Sequence, residues 1–318
     1  MLSDVNTDGA AVDGAKDRNQ NSWRNMAWWV GNEDPLRLRI FESAFTLVFV
    51  LMLGFNFTEW RDWLTPEALH LTHEEAKALG YPPPFPRMPA WMVPGFAVVI
   101  LSATIGIVLN RWRRLSLITM AIIAIYVQGV DYLSTSAQNK LAIAVFVLLA
   151  SAPGYRKDPV TGQMTACLAP VRVIQATLLI EYWAAGWTKS FGEGAWLKHA
   201  DSLQLVIQGF HRTDLAAWFL RTMPPMFWTV GQFSTLVFEM GAPVWFTWKR
   251  TRWVAIASGF LLHLGIALMM KNLIFFSAQM WSFYPLFITP EEWRKLGRWC
   301  EERFWRRRSG KTESNHDS

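Results

Sequence analysis

Apolar stretches recur along this chain and are separated by short polar segments. They cover residues 38–57, 91–109, 115–133, 141–152, 171–189, 226–248, 253–270 and 273–288. A membrane-crossing helix needs about 20 apolar residues. The pattern therefore predicts an all-α, polytopic membrane bundle of about eight transmembrane helices. The run at 141–152 is short, and it reaches spanning length only if the polar residues before it lie within protein: Ser136, Gln138, Asn139 and Lys140.

The segments between the runs predict different environments. Residues 58–90 end in Tyr-Pro-Pro-Pro-Phe-Pro, and prolines without an amide donor cannot form a helix interior, so we expect an outer loop. Apolar and charged positions alternate over residues 195–222, which predicts helices lying along the outer membrane surface. Residues 1–22 have almost nothing to bury, and this composition is typical of a disordered tail.

Three parts follow from this division. Residues 1–33 form a disordered or interfacial tail, residues 34–290 a transmembrane domain, and residues 291–318 a basic tail on the anionic inner leaflet. Lys and Arg concentrate in cytoplasmic loops of membrane proteins. With eight helices and both termini cytoplasmic, every compact basic cluster lies on one side, at residues 111–114, 156–157, 249–252 and 306–308.

Composition excludes several classes of protein. Of the 318 residues 52% are hydrophobic, with 19 Trp and 21 Phe, which is too apolar for an ordinary soluble domain. The net charge of +6 comes from clusters that flank apolar runs, so we expect no nucleic-acid partner. Cys167 and Cys300 fall on the predicted cytoplasmic side, where thiols stay reduced, which argues against a disulfide. The first 39 residues contain no apolar core that a secretory signal needs.

One polar stripe runs along the helix predicted at 171–189. Gln175, Tyr182 and Lys189 are seven residues apart, so they drift by only about 20° per heptad and share one face. A polar stripe is costly against lipid and should face the bundle interior or a water-filled cavity. The alternatives are that the stripe only joins helices, or that Lys189 extends to the head groups.

Ionisable residues inside predicted spans are functional candidates. Besides Glu42, Asp131 and Glu181, they include Glu239 and His263 on consecutive helices, for which we predict a mutual hydrogen bond. That pair could instead only lock two helices together. We expect no metal site, because the six histidines include no pair with His-x3-His spacing.

Short motifs give a family resemblance. The stretch Glu-Tyr-Trp-Ala-Ala-Gly-Trp-Thr-Lys at 181–189, followed by Trp196, resembles the Y-x-x-A-G-x-x-K … W motif of the HTTM family, the transmembrane domain shared with vitamin K-dependent gamma-carboxylase. Phe238-Glu239 with Pro243, a basic turn, His263 and Phe-Ser at 276–277 resemble that family's later motifs in the same order. The resemblance covers roughly residues 34–290.

The resemblance implies chemistry at one lysine. In the carboxylase the lysine of this motif is the base in vitamin K hydroquinone oxygenation, and it matches Lys189. The carboxylase also has an Asn-His pair, where this chain has Gln138-Asn139-Lys140, and a large luminal domain after the membrane part, whereas this chain ends about 30 residues after its last predicted helix. Protein carboxylation is therefore not expected. Bacterial members of the family imply a location in the bacterial inner membrane.

Three functions remain open at this stage. The first is catalysis or binding of a quinol-like or other apolar small molecule, with Lys189 as base, with Glu239 and His263 orienting the substrate, and with binding residues Gln175, Tyr182, Trp183, Trp187 and Trp196. A base must be neutral, a form that an apolar pocket of Trp183, Trp187 and Phe191 would favour, whereas a nearby carboxylate such as Glu181 would favour the ammonium. The second is a non-catalytic accessory that binds a membrane partner or assists maturation of a secreted peptide. A transporter is disfavoured, because the chain shows no internal repeat.

Overall fold

The computed structural model describes residues 29–67, 71–130, 137–192 and 196–313. Within these ranges the chain is mainly helical. Its α-helices are α1 (Leu36–Asn56), α2 (Trp60–Leu64), α3 (His73–Ala78), α4 (Val93–Val108), α5 (Arg113–Val130), α6 (Ala137–Ser151), α7 (Leu168–Phe191), α8 (Ser202–Ile207), α9 (Asp214–Thr222), α10 (Pro225–Thr247), α11 (Arg252–Met269), α12 (Ile274–Phe283) and α13 (Pro290–Glu313).

Each predicted apolar run forms a helix, but only some of these helices have the length and hydropathy of a membrane span. The helices that do are α1, α5, α11 and the segment Ala90–Val108, in which a 3-10 turn precedes α4. The helix α6 is apolar but short, and α7 and α10 contain several polar residues. The structure therefore shows four candidate spans and fits an integral membrane protein, and the predicted total of eight stays a prediction.

The helices pack in a closed sequence of neighbours. Going around the bundle, α1 packs on α4, α4 on α5, and α5 on α6. The helix α6 contacts α7, α7 packs on α10, α10 on α11, α11 on α12, and α12 returns to α1. Phenylalanines fill the interior, where Phe45 of α1 makes edge contacts with Phe146 of α6 and Phe283 of α12, at centroid distances of 5.4 and 5.6 Å. These aromatic contacts pack the buried face of α1 against α6 and α12.

A small sheet lies at the end of the bundle where α1 begins. Strands β1 (Asn32–Glu33), β2 (Arg156–Lys157) and β3 (Met164–Cys167) form an antiparallel sheet in the order β1-β3-β2, with Glu33 opposite Ala166. Asp34, just after β1, forms an ion pair with Arg294 of α13. The beginnings of α1 and α13 therefore lie at the same end, so the chain between them crosses the bundle an even number of times.

A buried ion pair fixes α1 against α5 near the end where α1 begins. We call this the basic end, because the Lys and Arg clusters at 111–114 and 249–252 lie there. Arg113 donates to both carboxylate oxygens of Glu42, with an Nε–Oε2 distance of 2.9 Å, and both side chains are almost fully buried. The Tyr155 hydroxyl donates to Glu42 Oε2 over 2.7 Å. Burial raises the pKa of Tyr155 above its ordinary range, so the phenol stays protonated and acts as the donor. The partners of Glu42 give it a structural role.

The opposite end is covered by the segment that joins α7 to α10. Its helices α8 and α9 occur where alternating apolar and charged residues predict surface helices. Thr213 caps α9 and also donates to Leu268 O over 2.8 Å, which ties α9 to the end of α11. The 58–90 connection contains α2 and α3, and its proline-rich part is not helical. The predictions about residues 1–22 and Asp131 lie outside the described residues.

Candidate functional site

An ion pair between α7 and α10 lies toward the end that α8 and α9 cover. Lys189 Nζ donates to Glu239 Oε1, with the two side chains 31% and 7% exposed. The second carboxylate oxygen, Oε2, is buried, and within the described chain it has no hydrogen-bond partner. An unsatisfied buried oxygen of this kind costs about 1–3 kcal/mol or more. The site therefore holds a strong acceptor that a bound molecule could use.

A glycine allows the two helices to approach each other here. Gly186 lies one turn before Lys189, and a Cβ built on it would come within 2.8 Å of Met240 Cγ and 3.0 Å of both Glu239 Cβ and Met240 N. Small residues let helix backbones pack closely in membranes. Gly186 thus explains why the Ala-Gly-x-x-Lys pattern places its lysine against the carboxylate of α10.

A proline lies beyond the carboxylate within the same helix. Pro243 is four residues after Glu239 inside α10. Because proline has no amide hydrogen, the Glu239 carbonyl lacks its usual helical donor. The carbonyl oxygen and the carboxylate oxygen Oε2 of Glu239 can therefore each accept a further hydrogen bond.

The chain after α7 closes over the lysine. Trp196 N donates to Lys189 O over 2.8 Å, and Lys189 Nζ lies 5.4 Å from the centroid of the Trp196 ring, in cation–π range. Gln232 of α10 holds this cover in place, since its Nε2 donates to the carbonyls of Trp196 and His199 over 2.6 and 2.7 Å, and its Oε1 accepts from Leu203 N. Trp196 thus contacts the predicted base.

A hydrogen-bonded group of three side chains lies deeper in the bundle. The Tyr182 hydroxyl is 2.9 Å from His263 Nε2 and 2.7 Å from the Tyr284 hydroxyl. His263 Nδ1 is buried and, in the described chain, has no hydrogen-bond partner. Tyr182 lies two turns before Lys189 on α7, and its ring contacts Phe238, the residue before Glu239. The ion pair and the Tyr-His-Tyr group therefore form one polar site.

Gly259 makes room for the third member of this group. It lies one turn before His263 on α11, and a Cβ on it would overlap the Tyr284 hydroxyl and approach Phe238 Cζ to 3.0 Å. The Tyr182 ring is packed edge-on against Phe238, with a centroid distance of 5.2 Å. Glycine on α11 and aromatic rings around it fix the position of the hydroxyl groups.

The predicted hydrogen bond between Glu239 and His263 is not formed. Glu239 turns toward α7 and pairs with Lys189, while His263 reaches Tyr182 of the same helix. The physical reason is that α7 packs closely on α10 and offers each side chain a better partner, a cation for the carboxylate and a hydroxyl for the imidazole. Both predicted residues belong to the site, with different partners.

The predicted pocket of Trp183, Trp187 and Phe191 around Lys189 is not formed. Trp183 and Trp187 are 44% and 49% exposed and form a row with Phe191 on the outer surface of the bundle, with centroid distances of 5.4 and 4.6 Å. Residues next to the stripe point about 100° away from it, because an α-helix has 3.6 residues per turn. Of the tryptophans predicted to bind substrate, Trp196 alone contacts Lys189 among the described rings.

Gln175 occupies the other end of the stripe. Its Nε2 donates to Leu286 O over 2.7 Å, and its Oε1 accepts from Arg172 over 3.0 Å. The side chain therefore joins α7 to the segment after α12 and lies two turns from Tyr182. Gln175 and Tyr182 face the bundle interior, and Gln175 lies apart from the polar site that holds Tyr182 and Lys189.

Sequence reasoning missed Tyr284 and the two glycines. Gly186 is part of the motif, but its closeness to Glu239 is visible only when α10 is in place. Tyr284 lies inside the last predicted run, at 273–288, but no motif or spacing singled it out. In the described ranges no group of three or more His, Cys, Asp and Glu is arranged to hold a metal ion.

Comparison of the chain with protein-family models, with curated proteins and with solved structures gives no match.

Proposed function

We propose that this protein is a membrane-embedded acid–base catalyst for an apolar substrate that carries an ionisable hydroxyl group, such as a quinol, with Lys189 as the base. The observation that carries the proposal is the ion pair between Lys189 and Glu239, with its unpartnered Oε2 beside the Tyr182, His263 and Tyr284 group. The resemblance to the HTTM motifs supports the same lysine.

The ion pair itself supplies a route to a neutral base. The low polarity of the surroundings of this ion pair disfavours the charged forms of both side chains. Transfer of the shared proton from the Lys189 ammonium to Glu239 Oε1 therefore gives a neutral amine and a carboxylic acid at little cost in free energy. The amine then takes the proton of the substrate hydroxyl: the substrate O–H bond breaks, a new N–H bond forms at Nζ, and the substrate becomes an anion. The Lys189 ammonium that results faces this anion.

The remaining side chains have supporting roles. Glu239 Oε2 accepts a hydrogen bond from the substrate before proton transfer, and Trp196, which Gln232 holds in place, covers one side of the Lys189 amine. Tyr182 and His263 orient the substrate by hydrogen bonds, since Nδ1 of His263 has no hydrogen-bond partner within the described chain. Protein carboxylation is no part of the proposal.

The test uses the absorbance of a bound naphthoquinol, because a phenol and its anion have different spectra. The full-length protein in lipid nanodiscs should stabilise the anion near neutral pH. Lys189→Met and Lys189→Arg should bind the protonated form only, since a guanidinium cannot accept a proton. Lys271→Arg, at an exposed lysine of the turn after α11, is the matched control and should behave like the wild type. Full anion formation by Lys189→Arg would exclude Lys189 as the base.

Lipid analysis identifies the substrate class directly. Quinones or related apolar alcohols should copurify with the wild-type protein in mild detergent and should be depleted in Tyr182→Phe. Equal recovery of such molecules from wild type and variant would contradict a substrate site at Tyr182.

A second candidate function is favoured by the exposed aromatic row. Trp183, Trp187 and Phe191 present adjacent rings on one flank of α7, which suits contact with another membrane protein. In that case the chain acts as an accessory that binds a partner or assists maturation of a secreted peptide. Trp183→Leu combined with Trp187→Leu should then remove the partner on affinity purification and leave quinol binding intact.

A further inference from the structure

A cavity of about 600 Å³ opens at the basic end of the bundle, away from the Lys189 site. It lies between the beginnings of α1, α7, α11 and α13 and the end of α10. The sequence predicts that this end faces the cytoplasm, because the compact Lys and Arg clusters lie there. A space of this size between helices can hold the head group and the upper acyl carbons of a lipid.

The mouth of this cavity carries excess positive charge. Five basic side chains line it against three acidic ones. The basic residues are Arg37, Arg172, Lys249, Arg252 and Arg294.

The known ion pairs add one more acidic partner, Glu292, which makes five basic residues against four acidic ones and leaves an excess of one positive charge. Arg37 pairs with Glu33, Arg294 with Asp34, and Arg252 with Glu292, whose carboxylate lies outside the lining. Within the described residues Lys249 takes part in no ion pair, and the Nε–H of Arg252 is buried without a hydrogen-bond partner. A buried cationic donor of this kind needs an acceptor oxygen.

The floor of the cavity is apolar. Leu179, Phe246 and Phe287 line it, with the two phenylalanine rings 4.8 Å apart. Phe246 also stacks on Tyr182 at 6.1 Å, so this ring contacts both the cavity and a residue of the polar site. A small soluble anion would leave this floor in contact with water, whereas an anion attached to a hydrocarbon chain would cover it.

We propose that the cavity binds an anionic phospholipid of the adjacent leaflet, with its phosphate at Arg172, Lys249 and Arg252 and an acyl chain against Phe246. Basic pockets between helices on the cytoplasmic side suit anionic lipid head groups. The site is independent of the proposed catalysis at Lys189, since it uses different residues at the other end of α7.

The test is a titration of the full-length protein in mild detergent, followed by native mass spectrometry. The probes are phosphatidylglycerol, phosphatidylcholine with the same chains, glycerol 3-phosphate and inorganic phosphate. We expect tight binding of phosphatidylglycerol alone. Equal binding of phosphatidylcholine would overturn the role of charge. Binding of glycerol 3-phosphate or phosphate as strong as that of phosphatidylglycerol would assign the cavity to a soluble anion and overturn the lipid proposal.

A matched pair of variants locates the bound lipid. Arg172→Gln with Lys249→Gln should weaken phosphatidylglycerol binding about thirtyfold, since each basic residue near an anionic lipid contributes a factor of about five. The control, Arg114→Gln with Lys157→Gln, removes the same charge from exposed positions outside the cavity lining and should bind as the wild type. Equal effects of the two double variants would overturn the proposal.

A third variant covers the case in which the double variant misfolds. Lys249→Gln changes one exposed side chain without an ion pair in the described chain, so it should fold normally and bind about fivefold more weakly. Unchanged affinity in this folded variant would count against the assigned head-group position.

Discussion

Gly186 of α7 lies against Glu239 of α10, so closely that a Cβ on the glycine would be 3.0 Å from the Cβ of the glutamate. This close approach brings Lys189, one turn further along α7, onto the same carboxylate. The distance between two helix backbones, rather than the reach of a long side chain, therefore sets the geometry of the ion pair. A change at Gly186 tests that relationship without removing any charge.

Gly186→Ala should destabilise the protein by about 1–3 kcal/mol, because the new methyl group meets the backbone of Met240 and forces the helices apart. The measurement is thermal unfolding in detergent. Gly265→Ala is the matched control: its Cβ meets nothing within 4 Å inside α11, so this variant should be as stable as the wild type or more stable. Equal stability of the two variants would show that α7 and α10 are not in close contact.

Lys189 and Glu239 should be energetically coupled. Lys189→Met and Glu239→Leu should each destabilise by about 2 kcal/mol, since each leaves a partly or fully buried charge without its partner, and the double variant should lose less than the sum. Glu239→Leu and His263→Leu, whose side chains do not bond each other, should be closer to additive. A double-mutant cycle by chemical unfolding measures both couplings, and a larger coupling for Glu239 with His263 would contradict the observed pairing.

Glu42 and Arg113 should behave as a buried structural pair. Removing either charge alone, as in Glu42→Gln or Arg113→Met, should cost about 3–5 kcal/mol, because an uncompensated charge remains in the core. Glu42→Leu combined with Arg113→Met should recover much of that loss. Quinol binding at the distant Lys189 site should persist in the double variant, and its loss would indicate a functional role for Glu42.

Removal of the Tyr155 hydroxyl group should lower the free energy of unfolding by a smaller amount than loss of the Glu42–Arg113 ion pair. Tyr155→Phe removes only its hydrogen bond to Glu42 and should cost about 1 kcal/mol, measured as the shift in the unfolding midpoint. Thr119→Val is a control, since its hydroxyl is exposed and bonds only to the backbone of its own helix. A loss for Tyr155→Phe no larger than that of the control would contradict a contribution from this bond.

Reporter fusions test the predicted topology. Fusions at Pro84, in the proline-rich connection, and at the C-terminus should report opposite sides of the membrane, with the C-terminus cytoplasmic. The strand β3 pairs with β1 at the end where α1 and α13 begin, so a fusion within the β2–β3 connection should report the C-terminal side. A Pro84 fusion on the same side as the C-terminus would show that the number of spans before it is wrong.

The positions of the helices could be predicted from the sequence because they depend on local patterns. The run at 226–248 becomes Pro225–Thr247, and the run at 253–270 becomes Arg252–Met269. Hydrophobic length and proline position are properties of neighbouring residues, so no tertiary information was needed. The interior direction of Gln175 and Tyr182 followed in the same way from a sevenfold spacing on a regular helix.

The partners of the polar side chains were decided by tertiary structure alone. Lys189 and Glu239 are 50 positions apart, and Tyr182 and Tyr284 are 102 apart. Periodicity shows which face of a helix is polar. It does not show which other helix that face will contact, or which residues of the two helices will lie opposite each other. Those choices depend on where backbones can approach, at Gly186 and Gly259, and on which neighbour offers a buried carboxylate or imidazole its most favourable contact.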